Sequence, residues 1–350
     1  MMAGDAFEAA LRTGPSGGAL SGISGMGFYL PEERLLLSDL AERSGTPPRV
    51  AEYAGAYSVR RAAADVLPVH MAVAAAREAL ERAQVRAEDV GLVLWCGAAV
   101  PEYIMPTTAG AAQAALGAHS AHGFDVAQGC AAMLTGLWTA SSFLAFDTSL
   151  QHVLLLGGDR WSSFTPHQVC DSVFFGDGGG AVVVSRGDQP VRLLAYQGLM
   201  RGEFSDLWRI DGGGVRARVA QEQAAGSDAD HYRVVDRERA HGEFKEIYVP
   251  VIVESIRGAL KRAALEPGDI DFVSMVNANL RVLQVVLGEL GIPEERSSAD
   301  YLRRYGHFGA PDVFFNLFLA MEEGKVQPGD RVLLVSTGIG FHWVAAVVEC

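Results

Sequence analysis

The chain has 350 residues, is 49% hydrophobic and carries a formal net charge of −13. That apolar content can fill one large domain or two of ordinary size, and it argues against intrinsic disorder. An acidic chain with no long Lys/Arg run lacks the footprint of a nucleic-acid binder, and no stretch approaches the roughly twenty apolar residues of a membrane span, so small molecules and other proteins are the expected partners.

Residues 1–20 begin MMAGDAFEAALRTGPSGG and read as a loose tail. They lack the basic-then-apolar order of a secretory leader, which gives a cytoplasmic expectation. Beyond them the chain repeats itself. EALERAQVRAEDVGLVL (78–94) matches GALKRAALEPGDIDFVS (258–274) at an offset of 180, and HVLLLGGD (152–159) matches RVLLVSTG (331–338) at 179. Each half reads as amphipathic helix, short turn, buried apolar strand, further helix and second apolar strand, an alternation that predicts a layered α/β architecture with partly parallel sheets. The expected division is 21–195 and 196–350, related by a pseudo-two-fold axis. A polar, charge-rich stretch at 197–247 has no counterpart in the first half and is expected to be an insertion capping the site.

Cys96, Cys130, Cys170 and Cys350 are widely spaced, with no Cys-x-x-Cys pair and no His cluster at zinc spacing, so neither disulfides nor a metal is expected. Cys130 stands apart. HGFDVAQGCAAMLTGLWTASSFLAF (122–146) reads as strand, tight turn at Gly129, then a helix opening at Cys130. A thiol there feels the positive end of the helix dipole and can be activated as a thiolate. A small apolar core residue is the alternative, and the commonest fate of a free cysteine. Cys96, Cys170 and Cys350 lack that context and read as structural.

The duplication carries Cys130 onto Ala310, inside RYGHFGAPDVFFNLFLAMEEG (304–324), so His307 and Asp312 open the mate of the cysteine's helix. Mate helices can point their N-termini into one pocket, and thiol, imidazole and carboxylate are the parts of nucleophilic acyl transfer. A surface histidine and a dipole-offsetting aspartate after Pro311 are the bland alternatives.

FDVAQGC (124–130), FGDGGGAVVVS (175–185), NANLRV (277–282), YGH (305–307) and GIGFHW (338–343) together resemble the ketoacyl-ACP synthase III branch of the thiolase superfamily, over nearly all of residues 20–350. The resemblance implies a thiolase fold of two pseudo-symmetric halves in five αβαβα layers, an oxyanion hole made by the backbone amides of Cys130 and Ile339, and a homodimer. It implies acyl-CoA or acyl-phosphopantetheine as co-substrate, with no tightly bound cofactor and either coenzyme A or an acyl carrier protein as donor. Asn279, Arg60, Arg61, Arg160 and Trp161 fall where the family places substrate contacts.

Two departures stand out. Where condensing members have His-Gln-Ala-Asn this chain has Val276-Asn277-Ala278-Asn279, and where they have asparagine after Tyr-Gly it has His307. Val276 cannot donate a hydrogen bond to the enolate formed on decarboxylation. The expectation is therefore an acyltransferase of natural-product biosynthesis, of polyketide or antibiotic type, moving an acyl group from Cys130 to a hydroxyl, amine or thiol without condensation. His307 would be the base and Asp312 its orienter. One alternative is a starter-unit condensing synthase in which His307 alone manages decarboxylation. The other is a non-catalytic partner subunit of a polyketide synthase, against which the retained Cys130 argues.

Overall fold

The computed structural model describes residues 21–215 and 230–350. The expected tail and the middle of the polar insertion, 216–229, lie outside the described residues.

The strands are β1 Ser21–Tyr29, β2 Glu33–Leu36, β3 Ser58–Arg61, β4 Leu92–Trp95, β5 His122–Asp125, β6 His152–Asp159, β7 Val169–Cys170, β8 Val173–Phe174, β9 Gly178–Arg186, β10 Val191–Met200, β11 Trp208–Arg209, β12 Arg233–Val234, β13 Phe272–Met275, β14 Arg331–Gly338 and β15 His342–Glu349. The helices are α1 Leu37–Ser44, α2 Pro48–Ala54, α3 Pro68–Ala83, α4 Thr108–Leu116, α5 Ala132–Phe146, α6 Lys245–Ala263, α7 Leu280–Leu290, α8 Ala299–Tyr305 and α9 Asp312–Glu322.

Nine strands make one mixed sheet in the order β13, β14, β15, β10, β1, β9, β6, β4, β5. Its two ends repeat one pattern. β4 runs parallel to β6 as β13 does to β14, and β9 returns antiparallel to β6 as β15 does to β14. β1 and β10 then pair with β9 and β15, and touch each other only at Gly22–Arg192 and Ile23–Val191. β5 completes the first pattern, whereas the second has only the isolated Val273–Ser297 bridge in that place. The two ends of the sheet thus follow one plan, as the sequence repeat predicts.

Continuous apolar runs are buried on both faces because helices cover both. In β4, β6 and β9, alternate residues feed different cores: Leu94, Leu155 and Val182 join the cluster that holds α5, while Trp95, Leu156 and Val183 join the one that holds α3. The alanines of α3 let it lie close on the sheet, where a Cβ at Gly25, Gly27 or Gly158 would meet its backbone. Among the described residues one helical stretch, Gly129–Phe146, is long and apolar enough to cross a membrane, yet 61% of it is buried inside the protein.

Candidate active site

α5 and α9 begin 180 residues apart, as the duplication requires, and their N-terminal ends bring Cys130 and His307 into contact. Cys130 sits in the single 3-10 turn Gly129–Ala131 that feeds α5. Gly129 has φ +54, in the left-handed region where glycine is at ease. Its missing side chain also matters, because a Cβ there would press on the amide of Ile339, and one on Gly338 would meet the Gln128 carbonyl. The turn before the nucleophile and the turn after β14 thus pack backbone to backbone. Ser336 Oγ fixes the arrangement by donating to the Cys130 carbonyl at 2.8 Å.

The second half supplies the rest. Cys130 Sγ lies 3.5 Å from His307 Nε2, and His307 Nδ1 lies 2.5 Å from Asp312 Oδ2. Asp312 is wholly buried and also accepts from the amides of Asn277 at 2.9 Å and Phe308 at 3.1 Å. Two backbone amides and the imidazole thus converge on one carboxylate, which fixes the ring's orientation with Nδ1 toward Asp312 and Nε2 facing sulfur. Phe175 and Trp161 back the imidazole, with ring centroids 5.3 and 6.3 Å from it, and the Gly176 amide holds the His307 carbonyl at 2.6 Å.

Burial pushes the Cys130 thiol up, and the pull of His307 offsets only part of that. The resting thiolate expected from the helix-start position is therefore disfavoured by desolvation, and activation depends on the histidine. Burial works against the charged form of His307 as well, but Asp312 and Cys130 outweigh it and raise the imidazole well above its ordinary value. The pair is suited to passing one proton from sulfur to nitrogen.

A cavity of about 540 Å³ opens onto both side chains. Asn279 lines it as the N-cap of α7, accepting from the Val282 amide at 3.2 Å, and Arg281 and Ile339 line it too. The other four expected contact residues are not among the side chains that line it. Arg60 donates to the Pro31 carbonyl, Arg61 to Gln168 and Arg160 to the Ala64 carbonyl, while Trp161 is buried against Phe175. Their side chains are engaged in holding loops together. Reasoning from sequence missed the aromatic wall of Trp208, Tyr232, Phe244, Tyr248 and Phe341. The first three belong to the 197–247 stretch expected to cap the site, and a polar segment that contains scattered aromatics was the available signal.

A buried cysteine beside a carboxylate-oriented histidine has the parts that acyl-thioester chemistry uses. Models of 3-oxoacyl-(acyl-carrier-protein) synthase III match residues 124–198 and, for the C-terminal part, 260–350. The chain is 31% identical over 331 residues to the beta-ketoacyl-(acyl-carrier-protein) synthase III of Bacillus pumilus, covering 94% of this chain and 98% of that one. The crystal structure of 3-oxoacyl-(acyl-carrier-protein) synthase III from Aquifex aeolicus superposes with a TM-score of 0.78 at 27% identity, over 94% of this chain and 100% of that one. The Thermus thermophilus enzyme gives 0.80, also at 27%, over 94% and 99%. The chain belongs to the ketoacyl-ACP synthase III family and is a transferase. These relatives carry the name of the condensing enzyme, and that overturns the expectation of acyl transfer without condensation in favour of the condensing alternative.

Proposed function

We propose that this protein is a starter-unit ketoacyl synthase that joins an acyl group to a malonyl unit by carbon–carbon bond formation. Cys130 sulfur attacks the carbonyl of an acyl-CoA or acyl-carrier thioester while His307 Nε2 takes the thiol proton. The tetrahedral oxyanion is held by the amides of Cys130 and Ile339, and the donor thiol leaves with the proton returned by His307. A malonyl thioester then enters, loses carbon dioxide, and its C2 attacks the acyl-Cys130 carbonyl. The products are a β-ketoacyl thioester and free Cys130.

The observation that carries this reading is the Cys130–His307–Asp312 alignment at 3.5 and 2.5 Å in a cavity-lining position, within a chain of this family. Val276 removes one donor to the enolate, but His307, once it has taken a fresh proton from solvent after the donor thiol leaves, is a charge-assisted donor, roughly twice as strong as a neutral one, and that proton then returns to the released Cys130 sulfur. Asp312 remains to hold that proton once Cys130 is acylated. The two replacements are also what supports assigning the condensation to natural-product biosynthesis. The acyl donor is coenzyme A or a carrier protein, the acceptor is carrier-bound, and the chain acts as a homodimer of thiolase-like halves divided near residue 195. Carbon dioxide release and β-ketoacyl product from acyl-CoA plus malonyl-carrier test the reading. Both should appear together with wild type, and acyl loading with neither would sink it.

A further inference from the structure

Two asparagines lie behind the catalytic histidine. Asn277, at the end of β13, and Asn316, one turn along α9 from Asp312, are 2% and 0% exposed. Their carboxamides bond reciprocally: Asn316 Nδ2 donates to Asn277 Oδ1 at 2.9 Å, and Asn277 Nδ2 donates to Asn316 Oδ1 at 3.3 Å. Each has a second contact. Asn316 Nδ2 reaches the Met275 carbonyl at 3.0 Å, and Asn277 Nδ2 reaches the carbonyl of Gly306, the residue before His307, also at 3.0 Å. The Asn277 amide meanwhile donates to Asp312 Oδ2, the oxygen that orients His307.

Burying two carboxamides costs free energy unless every polar atom is paired, so such a pair calls for a reason. The other half of the molecule shows that the fold does not supply one. The positions 180 residues earlier are Gly97 and Gly136, so no carboxamide stands there, and Cys96 Sγ lies 2.8 Å from where a Cβ on Gly136 would sit. The asparagines stand only on the side that carries the histidine.

We propose that the Asn277–Asn316 carboxamide pair is a positioning device that fixes the Gly306–His307 backbone against Asp312, and so sets the reach of Nε2 to Cys130 Sγ. Gly306 has φ +68, a conformation only glycine adopts readily; the Gly176 amide holds the loop on the His307 side, and the Asn277 carboxamide holds the Gly306 carbonyl itself. The sulfur–nitrogen contact is 3.5 Å, an ordinary length for a hydrogen bond to sulfur, and its length and angle depend on where this loop holds the imidazole.

The inference rests on the Cys130–His307 reading above, but its test needs no acyl substrate. The rate of iodoacetamide alkylation of Cys130 is followed against pH in wild type, Asn316→Leu, the double variant Asn277→Leu/Asn316→Leu and His307→Ala. Asn316→Leu leaves one carboxamide half-paired and should lower the melting temperature. The double variant removes the mutual carboxamide pair but still leaves the Met275 and Gly306 carbonyls without these donors, so it should recover only part of that loss. Its alkylation profile should nonetheless stay displaced to higher pH, with the rate at neutral pH reduced roughly 10-fold, because the tether to Gly306 is gone. A wild-type profile in the refolded double variant would overturn the positioning role alone. A wild-type profile in His307→Ala would overturn the Cys130–His307 coupling, and the positioning role with it.

Discussion

The turn that delivers Cys130 and the turn that delivers His307 occupy equivalent places in the two halves, yet they are built from opposite materials. The first is small and nearly without side-chain polarity: Gly129, Ala131 and Ala132 surround the sulfur, and backbone packs on backbone at Gly338. The second is a dense polar network, with Asp312 accepting three hydrogen bonds over paired asparagines. The difference fits the work proposed for each. A nucleophile that must receive an acyl group needs open space and free amides beside it, and burial then holds its proton on. A histidine that must take that proton needs a fixed tautomer and a buried counter-charge, which take several hydrogen bonds to secure.

Removing the one atom that the first turn exists to present should have the largest effect. Cys130→Ala is expected to abolish acyl loading altogether, seen as loss of the mass increment on the intact protein. On the other side, His307→Ala should leave a slow residual loading but depress condensation by about 10²–10⁴-fold, measured as β-ketoacyl product per minute. Filling the backbone contact of the first turn sharpens the contrast. Gly338→Ala drives a Cβ into the Gln128 carbonyl at the edge of the cavity, and should lower kcat more than it raises KM because it displaces the Ile339 amide.

The smallest expected effect concerns Asp159, which sits between the two turns. It is buried at the end of β6, accepts from the amides of Ala98 and Ala99 at 2.8 Å each, and burial raises its carboxyl to about 7. The folded state therefore holds this proton more tightly than the unfolded chain. The stability it contributes is fully present below about pH 4 and is lost as pH rises through about 7. Asp159→Asn should flatten the fall in melting temperature over that window, and an unchanged slope would remove Asp159 from the account.

Much of this comparison was legible before any coordinates, since a repeat at constant offset fixes which helix starts face each other. Local features at chain ends of elements, such as Gly129 before Cys130 or Pro311 before Asp312, also show in sequence because they obey local rules of turn and cap. Asn277 and Asn316 did not. They are 39 residues apart in the chain, and nothing local distinguishes a buried asparagine from a loop asparagine. Arg60, Arg61 and Arg160 show a different gap: their side chains hydrogen-bond to the protein's own carbonyl or amide oxygens, a long-range pairing that no local pattern displays. Nor did residue types reveal the net direction of the Cys130 shift, because it depends on how completely the neighbouring layers exclude water.

The most direct test of the central claim is a pulse and chase followed by intact-protein mass. Wild-type protein is loaded with an acyl-CoA, freed of excess donor, and mixed with malonyl-carrier protein. The account predicts an acyl increment on Cys130 that disappears on the chase as a β-ketoacyl-carrier species and carbon dioxide appear together. An acyl increment that persists through the chase, with no carbon dioxide released, would contradict it.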